Sequence, residues 1–163
     1  MAAGSTYTPL ATTTVGSTSS SYTFSSISSA YTDLVLVISG ISTASIYNWG
    51  MRFNGDTGSN YSRTIMFGTG STASSSRVSN STNIPTGFLT TNGAPNIINI
   101  QNYSNTTTYK TSIQRAGDAS DSTSAGVGIW RSTAAINSIT MFSDGGSFIA
   151  AGTTLTLYGI VAA

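Results

Sequence analysis

Few residues of this 163-residue chain could carry out chemistry. The sequence contains no histidine and no cysteine, which excludes Ser-His-Asp and Cys-His nucleophilic sites as well as thiolate metal sites. Its single lysine, Lys110, follows Tyr109 in a predicted strand, and no nucleophile-elbow pattern places a serine beside it. We therefore expect no nucleophilic catalysis.

Two aspartates, Asp118 and Asp121, lie close together in a polar stretch. Paired carboxylates are the catalytic groups of glycosidases. Loop acids that hydrogen-bond to turns have the same spacing, and no aromatic platform or apolar pocket accompanies these two in the sequence. The sequence favours the turn interpretation.

Asn54, Asp56 and Gly58 have the alternate-position spacing of a calcium loop. One carboxylate is few for a divalent cation, and the chain contains no glutamate to close such a loop. A turn stabilised by Asx hydrogen bonds explains the same residues. We expect no catalytic, cofactor-binding or metal-binding residues, no cofactor, and a protein that is not an enzyme.

Charged residues make up only 7% of the chain, and the net charge is +1. Because the charges are scattered, we expect no binding to nucleic acid. The longest apolar run, residues 34–38, is too short to cross a membrane, and no secretory signal is visible. A neutral surface rich in Ser, Thr, Asn and Gly is typical of an assembly subunit. We expect a protein that is made in the cytoplasm and is not secreted.

The elements that position these residues are predicted to be strands. Trp49, Met51 and Phe53 alternate with polar residues or glycine, Asn54 and Gly55 supply a tight turn, and the next strand begins at Tyr61. Residues 34–38 are continuously apolar, which predicts a strand covered on both faces. Some eight to ten short strands with no helical periodicity indicate an all-β fold, an antiparallel β-sandwich that is jelly-roll-like.

The organisation follows from the same patterns. Residues 1–20 lack core-forming side chains and predict an extended N-terminal arm that is ordered only on a partner, and residues 21–163 predict a single sandwich domain. Residues 68–76 predict a loop, residues 78–91 a mixed segment with a short edge strand, and residues 136–142 a strand. The predicted core residues are Trp49, Phe53, Ile100, Ile129, Phe142 and Leu157.

Four stretches together resemble small β-rich structural proteins of tailed bacteriophages, including those that infect cyanobacteria. They are residues 31–37 (YTDLVLV), 52–61 (RFNGDTGSNY), 128–140 (GIWRSTAAINSIT) and 152–160 (GTTLTLYGI). The resemblance covers about residues 21–160 and implies a virion location. It carries over no catalytic or ligand-binding residues.

Two placements follow from that resemblance. One is a capsid decoration (cement) protein, a homotrimer whose partners are the major capsid protein and copies of itself. The other is a tail-fibre, tail-tip or adsorption-apparatus protein. A tail fibre needs a fibrous shaft or an attachment domain, and the absence of a shaft pattern favours decoration.

A glycan-binding module on host-surface sugars is a further interpretation, because Trp49, Trp130 and the eight tyrosines could supply stacking platforms. Trp49 lies on an apolar strand face, which favours a core position. Trp130, next to Ile129, fits either role.

Overall fold

Apolar and polar residues alternate along much of the chain, and this alternation forms strands, whose side chains point to opposite faces in turn. A computed structural model describes residues 6–44, 47–118 and 122–161. These ranges contain twelve strands, and no helix within them is long and apolar enough to cross a membrane. In chain order the strands are β1 (Tyr7–Thr14), β2 (Ser21–Phe24), β3 (Asp33–Gly40), β4 (Tyr47–Phe53), β5 (Tyr61–Gly68), β6 (Ala73–Ser81), β7 (Ile84–Leu89), β8 (Ala94–Gln101), β9 (Lys110–Gly117), β10 (Thr123–Trp130), β11 (Ile139–Ser143) and β12 (Thr154–Ile160).

The strands form two sheets that pack face to face. The large sheet has eight strands in the order β1-β12-β3-β8-β9-β10-β5-β6, and the small sheet has four in the order β2-β11-β4-β7. Neighbouring strands in both sheets are antiparallel. The predicted antiparallel β-sandwich is confirmed, and the jelly-roll connectivity stays a prediction.

The core lies between the sheets and is built from alternate residues of each strand. On β4, Trp49, Met51 and Phe53 are fully buried, as their alternation predicts. Leu34 and Leu36 of β3 belong to the same buried cluster and come from the other sheet. Full burial of a side chain of this kind contributes roughly 1.5–3 kcal/mol.

The predicted core residues are correct on some strands, whereas on others the buried residue is the immediate neighbour of the predicted one. The predicted core residues that are buried are Trp49, Phe53, Ile100 and Leu157. Ile129 and Phe142 are only half-buried, and their neighbours Trp130 and Met141 take the core positions. A strand offers either of its two faces to the core, and a one-residue error exchanges them. Phe142 pairs instead with Gly50, and its ring occupies the space that a side chain on Gly50 would need.

Three other expectations differ from the structure. The run 34–38 is not covered on both faces, because Val37 is 38% exposed. Residues 73–81 form the edge strand β6 where a loop was predicted over 68–76. The strand predicted from residue 136 begins at Ile139. β6 has almost no buried side chains, so its sequence carries no apolar alternation, and its backbone pairing with β5 defines it.

Part of the predicted N-terminal arm is a strand of the sandwich. β1 pairs along β12 and forms one edge of the large sheet. Leu10 and Val15 pack against the buried cluster, and Val15 N donates to Thr153 O at 2.8 Å. Residues 7–14 are therefore extended, and their partner is strand β12 of the same chain.

The sheets approach closely at Gly87 of β7. A Cβ added there would overlap Asn96 Oδ1 and Ala116 Cβ of the large sheet. Asn96 cannot easily move, because its Oδ1 accepts from Phe88 N and its Nδ2 donates to Phe88 O and Ala94 O, each at 2.9 Å. This buried amide joins β7 to β8 across the core.

We predict that Gly87→Ala lowers the free energy of unfolding by about 2–3 kcal/mol, because the new methyl group displaces the hydrogen-bonded Asn96 side chain. Urea unfolding followed by tryptophan fluorescence measures the change. Gly16→Ala is the matched control, since no atom lies within 4 Å of the Cβ it adds, and its effect should stay within about 0.5 kcal/mol. Equal effects of the two variants would contradict the close approach.

Candidate functional site

The single lysine, Lys110, has a structural role, because its ammonium group binds two backbone carbonyls. Lys110 is 1% exposed, and its Nζ donates to Thr108 O at 2.7 Å and to Thr133 O at 3.2 Å. Burial lowers the pKa of the Lys110 ammonium. Both of these bonds go to backbone carbonyls and join two loops.

The structure describes only Asp118 of the two neighbouring aspartates. Asp118 is buried, and its backbone N donates to Ser122 O at 2.8 Å. Asp121 lies outside the described residues, and so its distance from Asp118 stays untested. In the described ranges no group of three or more acidic, histidine or cysteine residues could hold a metal ion.

The calcium-like stretch is a corner fastened by hydrogen bonds. Asp56 Oδ1 accepts from Gly58 N at 2.7 Å, and Asp56 Oδ2 accepts from Asn60 Nδ2 at 2.9 Å and from Trp130 Nε1 at 2.7 Å. Asn54, in the left-handed region at φ 52°, accepts from Asn137 N at 2.9 Å. The oxygens of this corner thus face N–H donors, which is the Asx-turn arrangement.

These contacts shift the acidity of two groups. Burial acts to raise the pKa of Asp56, but the hydrogen bonds from Trp130, Asn60 and Gly58 outweigh it and hold the pKa below its usual value. Burial raises the pKa of the Tyr61 hydroxyl to about 12. That hydroxyl donates to Asp56 O at 3.1 Å and accepts from Phe53 N at 3.1 Å.

Neither tryptophan is a glycan platform. Trp49 is 0% exposed, and Trp130 is 3% exposed between Phe53 and Tyr61, with ring centroids at 5.6 Å and 6.3 Å. Trp130 is the larger side chain of its strand end and fills the core, which leaves the smaller Ile129 outside. Trp49 has the core position that its apolar strand face favours, and Trp130, for which the sequence left both roles open, is buried as well.

The feature that the sequence did not predict is the reversed polarity of β9. Ser112 and Gln114 of β9 are buried between the sheets, while Ile113 is 44% exposed on the outside. Thr111, Ile113 and Arg115 share one face, as their alternation predicts, and that face is turned away from the core. An exposed β-branched apolar residue opposite a polar interior is the reverse of the usual arrangement for a solvent-facing sheet.

Strand register continues the outward apolar positions of β9 onto neighbouring strands of the large sheet, although the inner faces of β3 and β8 are largely apolar as well. In one row Val37 lies opposite Ile97, Ile97 opposite Arg115, Arg115 opposite Ala125, and Ala125 opposite Met66. In the adjacent row, Ile113 lies opposite Val127, Val127 opposite Thr64, and Thr64 opposite Arg77. We call the apolar members of these rows the outer apolar face: Val37, Met66, Ile97, Ile113 and Val127.

Exposure and charge make this face distinctive. Met66 and Val127 are 66% and 45% exposed. The two rows carry the positive charges of Arg77 and Arg115 and no aspartate. A flat apolar surface with only positive charge complements a flat apolar surface that presents carboxylates.

Comparison with known proteins adds no relative. No protein-family model matches the chain, and no curated protein sequence matches it. An exposed apolar sheet face is typical of surfaces that contact other proteins.

We predict that Asp56→Asn lowers the free energy of unfolding at pH 7 by about 1.5–3 kcal/mol, because the carboxylate accepts charge-assisted hydrogen bonds. The pKa of Asp56 is lowered in the folded state. Its contribution is thus complete above the ordinary aspartate pKa and is lost as pH falls through the lower folded value. Urea unfolding of both proteins should show the difference narrowing at low pH. A difference independent of pH would assign the effect to shape alone.

We also predict an alkaline loss of stability that depends on Tyr61. Its folded pKa of about 12 exceeds the ordinary value of 10.0, so the folded state retains a proton that the unfolded state releases. Stability should fall by up to about 2–3 kcal/mol as pH rises from 10 to 12. Thermal melts of wild type and Tyr61→Phe measure this, and the variant should show the shallower decline. Parallel declines would remove Tyr61 as the cause.

Proposed function

We propose that the protein is a non-enzymatic structural subunit of a bacteriophage virion, a capsid decoration protein that attaches to the shell through its outer apolar face. The observation that supports this is that apolar residues such as Ile113 and Val127 face outward on the large sheet, while Ser112 of β9 faces inward. The resemblance of the four sequence stretches to phage structural proteins supports the same conclusion. The location proposed is the virion, with assembly in the host cytoplasm.

Adhesion of this kind needs no deep pocket. A sheet face buries apolar area against a flat partner, and each buried methylene contributes about 0.8 kcal/mol. Arg77 and Arg115 would orient the contact through carboxylates of the major capsid protein. A shell repeats the same site many times, so contacts that are individually weak add up through multivalency.

Self-association belongs to the same proposal. A homotrimer at three-fold positions of the shell would repeat one contact three times and close on itself. The low charge of the chain, 7% of residues, permits like subunits to lie side by side with little repulsion.

The alternative, a tail-tip or adsorption protein that binds host glycans, loses its tryptophan platforms, since Trp49 and Trp130 are buried. One other observation favours it, a groove between the sheets that is lined by Arg63.

The proposal is tested with phage shells that have been stripped of the protein. We predict that Ile113→Asp lowers the affinity for these shells at least tenfold, because it places a carboxylate at the centre of the apolar rows. Bound copies are counted after sedimentation of the shells.

The matched control is Val161→Asp, because Val161 is equally exposed, at 49%, and lies outside the two rows. It should bind like wild type, and both variants should retain the wild-type melting temperature within a few degrees. Wild-type binding by Ile113→Asp, or no binding by the wild-type protein, would reject the proposal.

A further inference from the structure

A groove of about 350 Å³ opens between the two sheets, where β5 and β6 of the large sheet approach β4 and β7 of the small one. We call it the Arg63 groove. Its lining residues are Asn48, Arg63, Ile65, Phe67, Thr69, Ser76, Phe88 and Ser122. A volume of this size is typical of small-ligand sites.

Arg63 is the charged group of the groove, and it has no ion-pair partner among the described residues. Its Nη1 donates to Pro85 O at 3.2 Å, and its Nε is buried with no hydrogen-bond partner. Burial lowers the pKa of the guanidinium, which reflects the same cost. A half-buried cation without an anion is unfavourable unless another group supplies the negative charge.

A backbone carbonyl that Arg63 shares with Gln114 fixes the position of the guanidinium. Pro85 O accepts from Gln114 Nε2 at 3.1 Å as well as from Arg63 Nη1, so one carbonyl holds both side chains. Because Nη1 is engaged and Nε is buried, a ligand that binds the Arg63 guanidinium must approach it at Nη2. A fixed guanidinium is suited to a carboxylate, which it binds through strong charge-assisted hydrogen bonds.

The side chains that line the Arg63 groove indicate which other chemical groups the ligand has. Phe67, Phe88 and Ile65 provide apolar surface on which the C–H face of a ring can lie. Asn48 is oriented by Asp144, whose Oδ2 accepts from Asn48 Nδ2 at 3.1 Å and whose Oδ1 accepts from Asn48 N at 3.0 Å. The amide oxygen of Asn48 is therefore left as an acceptor for a ligand hydroxyl.

We propose that the Arg63 groove binds one carboxylate-bearing sugar, a uronic or sialic acid unit. The carboxylate lies on the Arg63 guanidinium, the apolar face of the pyranose ring lies on Phe67 and Phe88, and a ring hydroxyl donates to Asn48. This inference is independent of the proposed attachment to a shell. It gives the alternative adsorption role a binding site that does not require the tryptophans.

The test is titration calorimetry of the wild-type protein with methyl glycosides of glucuronic acid, galacturonic acid and N-acetylneuraminic acid. Methyl glucoside and methyl galactoside are the neutral comparison, and N-acetylglutamate amide is the carboxylate without a sugar. We expect at least one sugar acid to bind at least tenfold more tightly than its neutral counterpart and than the glutamate derivative.

Variants locate the binding. Arg63→Gln should abolish it, whereas Arg77→Gln should leave it unchanged, because Arg77 lies on β6 outside the groove lining. Ser76→Asp keeps Arg63 and alters only an exposed rim residue, so it tests the site without disturbing the core. Its carboxylate should occupy the guanidinium, lower the affinity for sugar acids at least tenfold and raise the melting temperature.

Four results would overturn the proposal. They are no sugar acid binding at about 10 mM, a concentration that detects even a millimolar dissociation constant; equal affinity for acidic and neutral sugars; equal affinity for the glutamate derivative; and loss of binding in Arg77→Gln. Ile113→Asp should bind the sugar acid like wild type, and Arg63→Gln should bind shells like wild type. Failure of the groove and failure of shell attachment are thus separate results.

Discussion

The hydrogen bonds to the Asp56 carboxylate hold the two sheets in their relative position. The corner between β4 and β5 crosses from the small sheet to the large one, and Asp56 accepts there from Trp130 of β10. Beneath it, Phe53, Tyr61 and Trp130 pack as an aromatic cluster. The hydrogen bond from the buried indole N–H to this carboxylate is charge-assisted and therefore strong, in a chain that has no cysteine and few charges.

The unusual constraint on the large sheet is that polar residues occupy part of its inner face. Gln114 and Asn96 lie between the sheets and are anchored by backbone carbonyls or amides such as those of Pro85 and Phe88. These bonds satisfy the Asn96 amide and Gln114 Nε2, whereas the buried Gln114 Oε1 and Ser112 Oγ have no hydrogen-bond partner among the described residues. Ile97 and Ile113, on the same two strands, face outward. On β9 the buried polar residues and the exposed apolar residue both follow from which face of the strand turns toward the core.

Strand β5 connects the two proposed surfaces. Its residues Thr64 and Met66 belong to the outer rows, and the alternate residues Arg63, Ile65 and Phe67 line the groove between the sheets. The two surfaces therefore lie on opposite faces of one sheet. A protein attached by its outer face would keep the groove on its other side, so adhesion and ligand binding do not compete for the same residues.

The sequence by itself determined the features that depend on local physics. Alternation placed Trp49 and Phe53 on one buried face, and Asn54 and Gly55 turn at φ 52° and 68° as turn chemistry requires. The absence of histidine and cysteine was equally a matter of sequence, as was the all-β class. These properties need only neighbours along the chain, and a period of two is visible without knowing which strands pair.

Only the tertiary structure decided which face of each strand turns inward. On β9 either Ile113 or Ser112 could face the core, and on β10 either Ile129 or Trp130 could. A one-residue shift in strand register exchanges the two faces, and the register is set by pairing with strands that are distant in the sequence. The edge strand β6 and the Arg63 groove could not be predicted from the sequence, because both depend on contacts between segments that are distant in the chain. The pairing of β6 with β5 defines the strand, and residues of four strands from both sheets meet in the groove only when the sandwich closes.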